Sequence, residues 1–212
     1  MYYPVNLDVR GKKCLVVGGG KVAFQKVKGL LLAGADPTVI SPRVDKALEK
    51  LSRIKKVRLI RDHFKVKYLN DFSLAIVATD NGQANSKIAA LCRKRKFLVN
   101  VVDQPADCTF TVPSIFRRGP LTIAISTNGA SPALSKKIRR DLEKAYGKEF
   151  GEFLSLMSKI RQEAIRKIPS QRLRKALFEK VIASNVLALV RKGKRSQAKK
   201  RIREILFEGN AS

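Results

Sequence analysis

Acidic side chains are scarce in this chain: 17 Asp and Glu stand against 45 Lys and Arg in 212 residues, a formal charge of +28. That imbalance says little about fold and more about partners, because it draws anions: nucleic acid, an anionic membrane surface, or a small molecule bearing many carboxylates. Histidine occurs once, at His63, which argues against a metal site built from several imidazoles. The three cysteines, Cys14, Cys92 and Cys108, form no C-x-x-C pair. Neither a disulfide framework nor a zinc site is signalled, and they read as reduced thiols. Long apolar runs are missing as well: no segment approaches the roughly 18 residues of a membrane span. The opening MYYPVNLDVRGKK has no apolar stretch behind a basic flank, so the expectation is a soluble, cytoplasmic protein that makes no membrane contact.

What is present is an alternation. KCLVVGG, PTVIS, KVRLIRD, FSLAIVATD and FLVNVVD are short, β-branched runs, and KVAFQKVKGLLLAGA, VDKALEKLSRI and NGQANSKIAALCRKRK are helical patterns between them. Strand and helix in turn predict a parallel sheet, and strands apolar at nearly every position predict helices on both faces. In the first helix Val22, Ala23, Val27, Leu30 and Leu31 form the expected core stripe, with Gly34 as a left-handed stop. Beyond Asp103 the rhythm changes. TFTVPSIFRRGPLTIAIST reads as two strands joined at Arg118, Gly119 and Pro120, a hairpin and not a crossover. A helix then opens with Ser131 as N-cap and Pro132 at its first position. From Lys148 onward only helical periodicity remains, broken near Pro169 and Gly193, with 17 Lys and Arg against 6 Asp and Glu and the densest run at RKGKRSQAKKRIR. The fold class is therefore α/β: a Rossmann-like parallel sheet in residues 1–113, a small α+β region in residues 114–147 suited to dimerisation, and a basic helical domain in residues 148–212.

GGGKVA at residues 18–23 matches G-x-G-x-x-A in the context that gives the pattern value, between a strand and a helix. Gly18 permits the tight turn, Gly19 continues it, Gly20 lets a pyrophosphate reach backbone N–H groups, and Ala23 lets the helix approach the sheet. About 20 residues on, where an acidic side chain would hold the ribose, the chain has Ser41, Pro42 and Arg43. Arg43 fits a 2′-phosphate; Ser41 with backbone groups fits an unphosphorylated ribose. Thr79 and Asp80 close the fourth strand, and Asn100 and Asp103 the fifth, all at carboxyl ends where open α/β sheets bind ligands. Ser126 through Pro132 bring hydroxyls, an amide and a helix N-terminus together as a carboxylate-binding corner.

PVNLDVRGKKCLVVGGGKVAFQKVKGLLLAGA, VATD, NVVDQPADCTFTVPSI and PLTIAISTNGASPALSKKIRRDLE, in this order and spacing, resemble the precorrin-2 dehydrogenases, the sirohaem synthase N-terminal family, over residues 4–142. The tail matches only as a helical region, and with no appended methyltransferase domain the chain resembles the stand-alone form. The resemblance implies NAD-dependent oxidation of precorrin-2 to sirohydrochlorin, in homodimers whose segment from Ser114 through the Ser131 helix exchanges contacts with the partner. It implies that the missing acidic ribose ligand is a family trait, that Gly20, Lys21, Val22, Ser41, Pro42, Arg43, Thr79 and Asp80 line the cofactor, and that Asp103, with Asn100 beside it, is the catalytic aspartate. Hydride removal from the macrocycle leaves a cation that must lose a proton, a task for one carboxylate. For the acidic periphery of the substrate the candidates are Arg117, Arg118, Lys136, Lys137 and Arg140, with Thr127, Asn128 and Ser131 in the corner. Asn128 departs from the family, where glycine is frequent. Some members also insert Fe²⁺; here Asp103 and His63 offer no ligand cluster.

A rival reading is a non-enzymatic NAD-sensing or nucleic-acid-binding regulator with a basic tail. The tail has neither aromatic–basic interleaving nor a helix-turn-helix turn, so nucleic acid is disfavoured. A charge of +28 nonetheless exceeds what one small substrate requires.

Overall fold

A computed structural model of the chain describes residues 2–69 and 71–208. It divides into two compact units, Met1–Val112 and Pro113–Ser212. The first is a five-stranded parallel sheet of order β3-β2-β1-β4-β5, built from β1 (Lys13–Val17), β2 (Asp36–Ile40), β3 (Arg58–Ile60), β4 (Leu74–Val77) and β5 (Leu98–Val101). Helices α1 (Lys21–Leu32), α2 (Lys46–Arg53) and α3 (Gly82–Lys94) connect the strands. Successive strand side chains point to opposite faces, so each apolar strand feeds two cores. Cys14 and Val16 join Val39, Leu74 and Ile76 under Ala23, Val27 and Leu30 of α1 and Leu48 of α2. Leu15 and Val17 join Ile40, Ala75, Val77, Val99 and Val101 under Ile88, Ala89 and Cys92 of α3. Each fully buried Val, Leu or Ile contributes roughly 1.5–3 kcal/mol, and the continuous apolar strands are explained by this two-sided burial.

The α1 stripe is corrected at one place. Ala23, Val27 and Leu30 are buried and Leu31 packs at the edge, but Val22 is 49% exposed. At 100° per residue Val22 stands off the 23–27–30 line, in the first turn. Gly34 is the left-handed stop, at φ +79°. The edge of β5 is not bare: Thr109 and Phe110 donate their N–H groups to Val99 O, and Val99 N–H donates to Thr109 Oγ1 at 2.8 Å. Open edges invite further pairing, and this segment covers one.

The second unit opens with the antiparallel hairpin of β6 (Ser114–Arg118) and β7 (Leu121–Ile125), Arg118 opposite Leu121. Gly119 at φ +54° followed by Pro120 fits a type II′ turn, since proline cannot take the second positive φ of type I′. Helix α4 (Pro132–Ala145) follows, with the Ser131 side chain accepting from Leu134 N–H as expected of an N-cap. Then come α5 (Lys148–Lys167), α6 (Gln171–Ala183), α7 (Val186–Arg191) and α8 (Arg195–Arg203), ending in a π-helical turn, Glu204–Glu208. Phe153, Ile160, Ala164, Leu177, Phe178, Val181, Val186, Val190, Ala198 and Ile202 are their common core. One break lies where no Gly or Pro announces it: Ser184 Oγ donates to Val181 O at 2.7 Å and accepts from Val186 N–H, a local hydroxyl turn that separates α6 from α7.

Candidate nucleotide-binding site

Strand order reverses between β1 and β4, and such a switch point leaves a crevice at the strands' carboxyl ends. The three glycines after β1 do different work there. Gly18 has φ +120°, and a Cβ on it would fall 2.2 Å from Ala78 O, so only glycine lets β1 turn beside β4. A Cβ on Gly19 would fall 2.0 Å from Arg43 O and 2.7 Å from Ser41 Oγ, which fixes the loop after β2 against the turn. Around Gly20 there is open space, with no atom within 4 Å of where a Cβ would stand. Gly20 is also the N-cap of α1 without a side-chain acceptor, and no acidic residue stands in the first turn. A helix start with free N–H groups and positive dipole, facing open space at the switch point, fits a pyrophosphate.

Ser41 is buried and its Oγ donates to Arg43 O at 2.6 Å, so this hydroxyl shapes the loop. Pro42 and Arg43 are exposed. Beyond β4, Thr79 Oγ1 donates to Asn85 Oδ1 at 2.5 Å while Asn85 Nδ2 donates to Thr79 O at 3.1 Å, and Asn81 Oδ1 caps α3 by accepting from Ala84 N–H. Asp80 projects from this turn into solvent. Asn100 is buried; its Nδ2 donates to Phe110 O at 3.1 Å, and its Oδ1 has no hydrogen-bond partner among the described residues.

Asp103 lies two residues past the end of β5 at φ +59°, with its carboxylate exposed. Aspartate is among the few side chains tolerated there, and strained backbone of this kind persists only where its surroundings hold it. The surroundings do. Gln104 Nε2 donates to Gly82 O at 3.2 Å, Ser86 Oγ donates to Asp107 Oδ2 at 2.6 Å, and Val101 N–H donates to Cys108 Sγ at 3.1 Å. The Ser86 hydroxyl, and after it Arg93, hold the Asp107 carboxyl below its usual range. Lys26 of α1, half-buried and in no ion pair among the described residues, lies within electrostatic range of Asp103. Burial pushes its ammonium's pKa down, and the charges of Asp103 and Cys108 pull it partly back. Sequence reasoning missed Lys26, Ser86, Gln104 and Asp107; the Pro105 that opens the turn after Gln104 was the one local signal.

The remaining candidates belong to the second unit. Asn128 at φ +52° and Gly129 at φ +89° are consecutive left-handed residues, a position asparagine suits better than most side chains. Thr127 Oγ1 accepts from Ser131 N–H at 3.0 Å, so the hydroxyls of Thr127 and Ser131 both serve the turn into α4. Arg117, Lys136 and Arg140 are exposed; Lys137 pairs with Asp141 at 3.1 Å. Arg118 is half-buried over the Phe116 ring, 4.9 Å from its centroid. His63 is exposed, and among the described residues no three His, Cys, Asp or Glu side chains converge as a metal site. No helix of the described residues is long and apolar enough to cross a membrane.

A parallel sheet of order 3-2-1-4-5 with an open glycine turn at its switch point is the architecture of a dinucleotide-binding protein, and residues 5–114 match the family described as "Putative NAD(P)-binding". Residues 118–145 match "Sirohaem biosynthesis protein central" and residues 149–206 "Sirohaem synthase dimerisation region". The chain belongs to the sirohaem-biosynthesis family of NAD(P)-binding proteins. A solved structure titled SirC, precorrin-2 dehydrogenase, is 30% identical and superposes with a TM-score of 0.75 over 96% of this chain and 100% of that one. Siroheme synthase of Photobacterium profundum is 34% identical over 95% of this chain and 43% of its own length. Siroheme synthase of Saccharophagus degradans is 36% identical over 85% of this chain and 40% of its own. The chain thus spans less than half the length of these curated relatives.

Proposed function

We propose that the chain oxidises precorrin-2 to sirohydrochlorin with NAD, a step towards sirohaem. One observation supports it above the rest: Asp103 is an exposed carboxylate held in left-handed backbone just past the carboxyl end of β5, on the side of the sheet where the switch-point crevice opens. When bound, the dinucleotide accepts the hydride, which is cofactor chemistry. The chain's own residues do the rest. The free N–H groups of α1 beside Gly20 hold the pyrophosphate, with Lys21 and Val22 bordering it. The loop of Ser41, Pro42 and Arg43 and the turn of Thr79 and Asp80, with Asn100 at the end of β5, would hold the rest of the dinucleotide. Asp103 stabilises the cation left by hydride loss and takes the proton that restores neutrality.

In the same reading residues 1–113 bind the cofactor. Residues 114–147 and the helices of residues 148–212 make a homodimer, and Arg117, Arg118, Lys136, Lys137 and Arg140, with the Thr127–Asn128–Ser131 corner, meet the substrate's carboxylates. Such an enzyme works in the cytoplasm. The test is anaerobic incubation of purified protein with precorrin-2 and either NAD or NADP, followed by absorbance. Sirohydrochlorin formed with NAD supports the proposal, and no product with either cofactor rejects it. Adding Fe²⁺ to the product mixture, and comparing the rate of metallation with and without protein, tests chelation of iron as a second substrate.

A further inference from the structure

The second unit contains a cleft of about 480 Å³, of whose lining the dehydrogenase reading uses Arg118 alone. Lys148, Gly151, Glu152, Ser155, Leu156 and Lys159 line it from α5. Their spacing of three and four residues is that of a single helix face. Arg118 and Gly119 of the hairpin, Val190 of α7 and Arg195 of α8 complete the lining. The one carboxylate, Glu152, is already gripped by Arg195, whose Nη2 and Nε lie 2.7 and 3.0 Å from its two oxygens. Lys148 and Lys159 have no acidic partner among the described residues. Arg118 Nη1 donates back to Arg117 O, and its Nε is buried without an acceptor. A buried guanidinium N–H left unsatisfied costs free energy that an anionic acceptor recovers. Leu156, Val190 and the two glycines supply apolar floor between the cations.

We infer that this cleft binds an organic anion carrying two or more carboxylate or phosphate groups, through Arg118, Lys148 and Lys159. Two sources offer that chemistry: the acidic periphery of a tetrapyrrole, and a free polyanionic metabolite. The cleft's existence as an anion site does not rest on the dehydrogenase reading, although its first source does.

Citrate and pyrophosphate are the probes, titrated calorimetrically into the 212-residue chain. The wild type is expected to bind one citrate per chain. The double variant Lys148→Gln, Lys159→Gln should bind about ten-fold more weakly or worse, and Lys148→Arg, Lys159→Arg should bind like wild type. No saturable binding overturns the inference. So does an equal loss in the exposed pair Lys46→Gln, Lys50→Gln on α2 of the first unit, which would reduce the effect to net charge. Binding that survives in the double glutamine variant but disappears in Gly20→Val would put the anion on α1 and also overturn it. The two sources separate in precorrin-2 kinetics: a raised KM at unchanged kcat in the double glutamine variant identifies the substrate's own carboxylates, and an unchanged KM identifies a free anion. If the protein does not turn over precorrin-2, the dehydrogenase reading fails while the citrate titration still decides the cleft.

Discussion

The two units build their sites from different material. In the first, backbone does the work: the Gly18 turn, the empty space at Gly20, the free start of α1 and the left-handed Asp103 are all main-chain features, and few charged side chains are engaged. In the second, side-chain charge does it. Glu149, Glu152 and Glu163 of α5 pair with Arg191, Arg195 and Arg203, tying α7 and α8 to α5, and the surplus cations face outward or into the cleft. Exposed pairs of this kind are each worth about 0–1 kcal/mol, so the apolar core of Phe153, Ile160, Val181 and Ile202 holds the helices. The lesson is that a site made from backbone tolerates few substitutions and each has a large effect, whereas a site made from dispersed charge changes in small steps.

Four experiments probe that contrast. Asp103→Asn keeps the left-handed turn, because asparagine accepts that conformation, and removes the base. We expect kcat for precorrin-2 oxidation to fall by about a hundred-fold or more with NAD affinity unchanged; wild-type turnover would end the assignment. Within the glycine triplet, Gly18→Ala should destabilise the protein by about 1–3 kcal/mol through its positive φ and the approach to Ala78 O. Gly20→Val, in open space, should leave the melting temperature alone and weaken NAD binding by about ten-fold or more. If both glycines behave alike, the division of labour is wrong. In the second unit, Ser131→Ala removes the α4 cap at a cost of about 1 kcal/mol, read from denaturant midpoints, with no change in NAD affinity. The smallest effect is one of pH. Burial pushes the Cys14 and Cys92 thiols up to about 11, so the unfolded chain, whose thiols ionise near 9, gives up those protons first. Stability contributed by the neutral thiols is present below about pH 9 and is lost as pH rises to about 11. Cys14→Ala with Cys92→Ala should flatten that decline.

How much of this was legible in advance follows the same division. The alternating elements, the glycine pattern and the Ser131–Pro132 helix start are local in sequence, and they were readable because each depends on residues within one turn. Val22 misled because an apolar residue beside a stripe looks like part of it, and only the helix's rotation shows it to be outside. The break at Ser184 carried no Gly or Pro signal. The cage around Asp103 was invisible for a different reason: Lys26, Ser86 and Asp107 come from three elements far apart in the chain, and no spacing rule relates them.

One contact in the second unit inverts an ordinary rule of protein engineering. Glycine inside a helix lowers its stability by roughly 1 kcal/mol relative to alanine, so Gly151, within α5, looks like an inviting place to stabilise. Yet a methyl group there would stand 2.9 Å from Arg118 O and 3.2 Å from Gly119 N, both rigid backbone atoms of the hairpin. The helix keeps its weakest helix-former because the hairpin needs the room, and a thermostabilisation campaign guided by propensity alone would choose this position and lose by it.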